Sequence, residues 1–119
     1  MGSILLLGLD PDLAVPLGII LKQLGHHVVK TESVARVLRD KCAGAVFVAG
    51  DGDQYKETVA LLRIGRRDLP LILVNRLPDN QRWLDALEMG ATDYCGAPFE
   101  QVQIEWLLEG ALRGARAAA

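Results

Sequence analysis

The chain has 119 residues, half of them hydrophobic, and a formal net charge of −2. This length and composition suit one domain with a compact core. Acidic and basic residues are mixed along the chain, so the basic stripe typical of nucleic-acid-binding surfaces is missing. The sequence shows neither an apolar run of about 18 residues nor a signal-peptide pattern. We therefore expect a cytoplasmic domain that binds neither membranes nor nucleic acid directly.

The cysteine and histidine pattern gives no indication of a metal site. Cys42 and Cys95 lie far apart and match neither a CxxC motif nor a zinc spacing. The two histidines are neighbours, at His26 and His27. We expect both cysteines to serve as small apolar residues in a reducing compartment.

Short apolar runs alternate with helical patterns, which is typical of a parallel sheet covered by helices on both faces. The predicted strands are residues 4–7, 27–29, 45–49, 70–75 and 92–95. Right-handed crossovers then favour an α/β, flavodoxin-like fold of five βα units with strand order 2-1-3-4-5. We assign residues 1–113 to this domain and residues 114–119 to a flexible tail or the start of a linker.

The helices are predicted from apolar spacing and from capping residues. Asp12 is predicted to cap the first helix and Ser33 the second. In the third helix we expect Leu61 to be buried beside the apolar stripe. The fourth helix is predicted to start at Pro78 and Asp79, with Trp83 packed under it.

In this type of fold, ligands bind beyond the carboxyl ends of the strands. The loops to inspect are therefore residues 8–12, 49–55, 75–78 and 95–98. A nucleotide or cobalamin domain would also have this architecture. The sequence contains no GxGxxG motif, no Walker lysine loop and no histidine-containing cobalamin loop, which disfavours that interpretation.

Three segments, "LPLILVN", "ALEMGATDY" and "APF", follow one another at a spacing that resembles the receiver domains of two-component response regulators. The resemblance covers about residues 3–113 and includes "ILLLGLDPDL" at the first strand and loop. It implies phosphoryl transfer from a histidine onto an aspartate after the third strand, with Mg²⁺ held by an acidic pair after the first. It also implies a Thr or Ser after the fourth strand, a Lys after the fifth and a cis peptide before Pro98.

This chain departs from the receiver pattern at most of those positions. The resemblance places the acidic pair on Gly8 and Leu9, the hydroxyl residue on Asn75 and the lysine on Ala97. None of these side chains carries a charge, and of the four only Asn75 keeps a hydrogen-bonding side chain. We therefore predict a degenerate receiver that is not an enzyme and has no cofactor.

The phosphoacceptor position is ambiguous. Strand register places it on Ala49, the match of the third helix places it on Gly50, and only the most generous alignment gives Asp51. The alternative interpretation is an active, Mg²⁺-dependent receiver that accepts phosphate on Asp51 and binds the metal with Asp10, Asp12 and Asp51. The contrasting interpretation is that these aspartates cap a helix or form turns.

The last helix, predicted over Phe99 to about Arg113, carries an apolar pair opposite its core stripe. At about 100° per residue, Val102 and Trp106 point away from the sheet. Tyr94 matches the family's aromatic position in the fifth strand. The resemblance implies that the fourth helix, fifth strand and fifth helix form the contact face. We predict a protein partner or a homodimer there, in a histidine-kinase pathway or with a fused output domain.

Overall fold

The computed structural model describes residues 2–76 and 80–118. Strands β1 to β5 are Ser3–Leu7, Val28–Thr31, Ala43–Ala49, Leu71–Asn75 and Asp93–Gly96. Helices α1 to α5 are Pro11–Gln23, Val34–Arg39, Gln54–Gly65, Asn80–Glu88 and Gln101–Ala118. No helix in this part of the chain is long and apolar enough to cross a bilayer.

The strands pair in parallel in one sheet of order β2-β1-β3-β4-β5. The predicted flavodoxin-like architecture and strand order are confirmed. β3 is apolar along its length because it lies in the centre of the sheet and is covered on both faces. β2 and β5 form the edges, and most of their residues are only partly buried.

Two apolar layers hold the helices against the sheet. Successive side chains of a strand point to opposite faces, so β1 sends Ile4 and Leu6 to one layer and Leu5 and Leu7 to the other. The first layer lies under α1 and α5, and the second lies under α2, α3 and α4.

The helix starts follow the predicted caps, with one correction at α1. Ser33 caps α2 as predicted, because its hydroxyl accepts the backbone N–H of Arg36 at 3.2 Å. Asp12 lies inside the first turn of α1, and Asp10 holds the N-cap position without a side-chain cap bond. Pro11 accounts for this shift, since proline favours the first position of a helix.

The far end of α5 and one face of α3 also differ from the prediction. α5 runs to Ala118, past the predicted end at Arg113, because alanine and arginine are good helix formers. Leu61 is exposed on α3, since Tyr55, Val59 and Leu62 already fill the face that meets the sheet. The assignment of residues 114–119 to a tail or linker stays a prediction.

α4 does not bury the apolar residues that its sequence pattern assigns to the core. Its buried residue is Ala86, whereas Trp83, Leu84 and Leu87 are 41%, 52% and 37% exposed. The prediction that Trp83 packs under the helix is wrong, because its ring lies at the surface and stacks on Tyr94 of β5. The predicted start at residues 78–79 falls outside the described residues.

Hydrogen bonds from Arg63 join the end of α3 to the segments that precede β4 and β5. Its Nε donates to the carbonyl of Gly90 at 2.6 Å, and its Nη1 donates to the carbonyl of Leu69 at 2.7 Å. Its Nη2 donates to Thr92 Oγ1 at 3.3 Å. Burial lowers the pKa of Arg63, and the charge of Asp68 opposes this shift. The side chain therefore connects two loops at the amino end of the sheet, those that precede β4 and β5.

Replacing Arg63 should weaken the fold. We expect Arg63→Met to reduce the free energy of unfolding by about 2 kcal/mol, because partly buried carbonyls lose a charged donor. The exposed neighbour gives a matched control, and Arg67→Met should change stability by less than about 0.5 kcal/mol. Urea unfolding followed by circular dichroism measures both. Equal losses in the two variants would contradict a special role for Arg63.

Candidate functional site

The carboxyl ends of β1, β3 and β4 meet at one edge of the sheet, as parallel pairing requires. Gly8 follows β1, Gly50 and Asp51 follow β3, and Arg76 follows β4. Gly8 has φ of 72°, a left-handed conformation that glycine adopts without strain. The chain after each of these strands therefore enters one common region.

Arg76 lies at the centre of this region, among three carboxylates. Its Nη2 donates to Asp10 Oδ2 at 2.9 Å and to Asp12 Oδ1 at 2.7 Å. Its Nη1 donates to Asp51 Oδ2 at 3.1 Å, and its backbone N–H donates to Asp51 Oδ1 at 3.2 Å. One arginine thus joins the end of β4 to the start of α1 and to the β3–α3 loop.

The electrostatics of this cluster favour a permanently charged guanidinium. Hydrogen bonds to Asp10, then to Asp12, raise the pKa of Arg76 further above its ordinary value. The contacts are exposed to solvent, so salt screens the attraction. Three carboxylates against one guanidinium leave the cluster negative.

The structure brings together Asp10, Asp12 and Asp51, the metal-ligand candidates proposed from the sequence. Their carboxylates surround the guanidinium of Arg76. Sequence reasoning missed this arginine. The available signal was its place directly after a buried strand, at the edge where the loops carrying the aspartates also end. That signal required the sheet order, which turns three distant segments into neighbours.

The residues at this edge do not fit a Mg²⁺ ion while Arg76 is in place. Mg²⁺ requires oxygen ligands in near-octahedral geometry. The carboxylates of Asp10, Asp12 and Asp51 have suitable oxygens, but each is bonded to the guanidinium. Leu9 after β1 has no side-chain oxygen and is buried. Among residues 2–76 and 80–118, no group of three or more His, Cys, Asp or Glu side chains has a metal-binding arrangement.

The side chain of Asn75 occupies the space beside Gly50 and is hydrogen-bonded to its carbonyl. Asn75 is a buried polar residue at the end of β4, and its Nδ2 donates to the carbonyl of Gly50 at 3.1 Å. A Cβ atom added to Gly50 would stand 2.5 Å from Asn75 Oδ1 and 3.4 Å from a methyl group of Leu73. Position 50 therefore has no room for an aspartate while Asn75 keeps this conformation.

The remaining receiver-pattern positions lie near this pair. Ala49 ends β3 opposite Val74 of β4. Ala97 follows β5, and its N–H donates to the carbonyl of Asn75 at 3.0 Å. The peptide between Ala97 and Pro98 is cis, as the sequence resemblance implied. The loop after β5 thus keeps its turn without a charged side chain at position 97.

The predicted contact residues lie on α5 and β5. Trp106 is 71% exposed and Val102 is 59% exposed, on the side of α5 that faces away from the core. Both line a cleft of about 550 Å³ together with Ala97. Tyr94 is half-buried, and its ring stacks on Trp83 of α4 with centroids 6.4 Å apart at 27°. Apolar side chains are therefore accessible on α4, β5 and α5.

The two cysteines differ in their surroundings. Cys95 is buried in the layer under α1 and α5, and burial raises the pKa of its thiol to about 12. Cys42 is exposed, so the prediction that both cysteines serve as small apolar residues fits Cys95 better than Cys42.

Solved structures with a similar fold include response regulators and their receiver domains. A response regulator receiver domain protein from Clostridium thermocellum aligns over 100% of both chains, with a TM-score of 0.84 and 13% identity. The chain has the receiver fold. A two-component response regulator from Clostridium difficile aligns over 95% of this chain and 97% of its own, with a TM-score of 0.79 and 20% identity.

A longer protein, NtrX from Brucella abortus, matches 99% of this chain with a TM-score of 0.86 and 19% identity. This chain spans 28% of the length of that NtrX chain. Sequence comparison with protein-family models and with curated proteins finds no match. At these identities the similarity establishes the fold.

The matched pair at the end of β3 and β4 can be tested by a double-mutant cycle. We expect Gly50→Ala to cost about 1–3 kcal/mol of stability, because the new Cβ overlaps Asn75 Oδ1. Asn75→Ala should cost about 1–2 kcal/mol through its lost buried hydrogen bond. The double variant should cost less than the sum, since truncating the Asn75 side chain removes the overlap.

A second glycine serves as the control for this cycle. A Cβ on Gly110 of α5 would meet nothing within 4 Å, so Gly110→Ala should stabilise the protein by about 0.5–1 kcal/mol. Urea unfolding of all variants gives the coupling energy. Strict additivity of the Gly50 and Asn75 changes would contradict the contact.

Proposed function

We propose that this chain is an atypical receiver domain that acts as a phosphorylation-independent interaction or dimerisation module in cytoplasmic signal transduction. The observation that carries the proposal is the position of Arg76 among Asp10, Asp12 and Asp51. A divalent cation would need the same carboxylates. A phosphoryl group on Asp51 would need the oxygens that Arg76 already binds.

The chemistry of phosphoryl transfer supports the same conclusion. Charge that develops on the phosphoryl oxygens must be neutralised by a metal ion or by cationic side chains. Ala97 contributes no charge, and Gly50 contributes no carboxylate. Arg76 is a cation in the right region, but its Nε and both Nη atoms already donate to aspartates.

The exposed apolar surface supports an interaction role. Trp106 and Val102 lie on the solvent side of α5, and Trp106 borders a cleft of about 550 Å³. Leaving a large apolar side chain in water forgoes roughly 1.5–3 kcal/mol of burial, and tryptophan is enriched at interface hot spots. The occupant we propose is a second copy of this chain, with the α4–β5–α5 face on both sides.

The alternative function is an active receiver that uses Asp51 with Asp10. It is favoured by one observation: the carboxylates of Asp10 and Asp51 converge on the same guanidinium. In that case Arg76 must leave the cluster before Mg²⁺ and phosphate enter. A histidine-kinase pathway would then act on this domain directly, whereas a fused output domain is compatible with both functions.

Exposing the protein to Mg²⁺ and a phosphoryl donor distinguishes these two functions. After incubation with Mg²⁺ and acetyl phosphate, we expect no phosphoryl adduct in the intact mass, and beryllofluoride should leave tryptophan fluorescence unchanged. Millimolar Mg²⁺ alone should produce no saturable change, because Arg76 occupies the carboxylates. A single-site Mg²⁺ isotherm that Asp51→Ala abolishes would instead establish the alternative.

The contact surface can be tested by charge insertion. Trp106→Glu should leave the free energy of unfolding within about 1 kcal/mol, as for an exposed site, and should weaken self-association measured by sedimentation velocity. Ile64→Glu is the matched control, because Ile64 is an 82% exposed apolar residue on α3, away from this face. Association that both variants lose equally would contradict an α5 contact. Wild-type protein that stays monomeric at high concentration would contradict the homodimer.

A further inference from the structure

α4 is held to the domain by little apolar packing. Its nine residues bury one side chain, Ala86, whereas α1 buries five residues and α3 buries three. Apolar stabilisation is roughly proportional to the area removed from water, so α4 gains less from the core than its neighbours do. The position of α4 must therefore depend more strongly on polar contacts.

Two arginines supply such contacts on either side of the start of α4. Arg76, at the end of β4, binds Asp51 through its side chain and through its backbone N–H. Arg82, in the first turn of α4, donates through Nη1 to the carbonyl of Gly52 at 2.8 Å and to that of Gly50 at 3.4 Å. Both arginines are thus bonded to the same loop, residues 50–52.

The contacts of Arg82 lie directly beside the aromatic surface of α4. Trp83 is the next residue along the helix, and its ring stacks on Tyr94 of the edge strand β5. A shift of α4 relative to the β3–α3 loop would therefore move Trp83 relative to Tyr94. The contacts of Arg82 with the β3–α3 loop and the stacking of Trp83 on Tyr94 are therefore linked through the first turn of α4.

We propose that Arg76 and Arg82 form a latch that holds α4 and the Trp83–Tyr94 pair in one position without any ligand at the carboxyl edge. Both are positioning residues that act through the β3–α3 loop. The inference rests on the proposed function in one respect, since the surface that the latch positions belongs to the proposed contact face. Because the contacts of Arg76 are exposed to solvent, the latch weakens as ionic strength rises.

Hydrogen–deuterium exchange of α4 tests the latch. We expect α4 amides to exchange about three- to tenfold faster in Arg76→Gln and in Arg82→Gln, and faster still in the double variant, as for loss of a local charge network. Amides of β1, β3 and α1 should keep their wild-type rates. Arg113→Gln is the matched control, because Arg113 forms a surface pair with Glu109 on α5 at 3.8 Å.

Tryptophan fluorescence gives a second readout of the same motion. In a Trp106→Phe background Trp83 is the remaining tryptophan, so acrylamide quenching reports its exposure. Quenching should rise in Arg76→Gln, and it should rise less in Arg76→Lys, which keeps the charge but loses the forked geometry. Raising salt from about 0.05 M to about 1 M should bring the wild type towards Arg76→Gln and leave the variant unchanged.

Two outcomes would overturn the latch. If the α4 amides of the double variant exchange at the wild-type rate, apolar packing and not the two arginines holds the helix. An equal increase over all elements would show that the arginines act on global stability. Sedimentation of the same proteins separates this inference from the proposed function: a monomeric wild type refutes the homodimer, whereas only the exchange and quenching data decide the latch.

Discussion

The arrangement of the carboxyl edge depends on one charge interaction, the binding of Arg76 by Asp10, Asp12 and Asp51. Parallel pairing of β1, β3 and β4 brings their following loops together, and with them three carboxylates that repel one another. A cation among them offsets part of this repulsion, to an extent that depends on salt because the side chains are exposed. In this chain the cation is a side chain at the end of β4, so the arrangement is built into the fold.

The neighbouring Asn75 and Gly50 add a steric constraint at the same edge. The end of β4 carries both the buried amide that bonds Gly50 and the arginine that binds Asp51. Position 50 must then lack a side chain, because a Cβ would overlap the amide oxygen. Gly50 and Asn75 are thus adapted to each other, and an aspartate at position 50 would conflict with the conformation of Asn75.

Much of the fold could be predicted because it depends on local periodicity. Buried parallel strands, the Ser33 cap and the outward side of α5 with Trp106 all follow from spacing within one element. The packing of α4 could not, because Trp83 and Leu87 have the spacing of a core stripe but lie beside a short edge strand that offers them little cover. The predicted strand order placed Arg76 near the loops that carry the aspartates, but the contacts themselves join side chains more than sixty residues apart and depend on loop conformations that no local pattern specifies.

A cationic side chain and a dissociable metal ion differ in whether their binding can shift a conformational equilibrium. A ligand shifts an equilibrium only by the difference between its affinities for the two states. Arg76 cannot dissociate from the chain, so its effective concentration at the carboxylates stays high whatever the concentration of Mg²⁺. Under the proposed function, this edge therefore has one resting arrangement, which Arg82 transmits to α4 through Gly50 and Gly52. Under the same proposal, control comes from the α4–β5–α5 face, through the concentration of the partner or through a neighbouring domain.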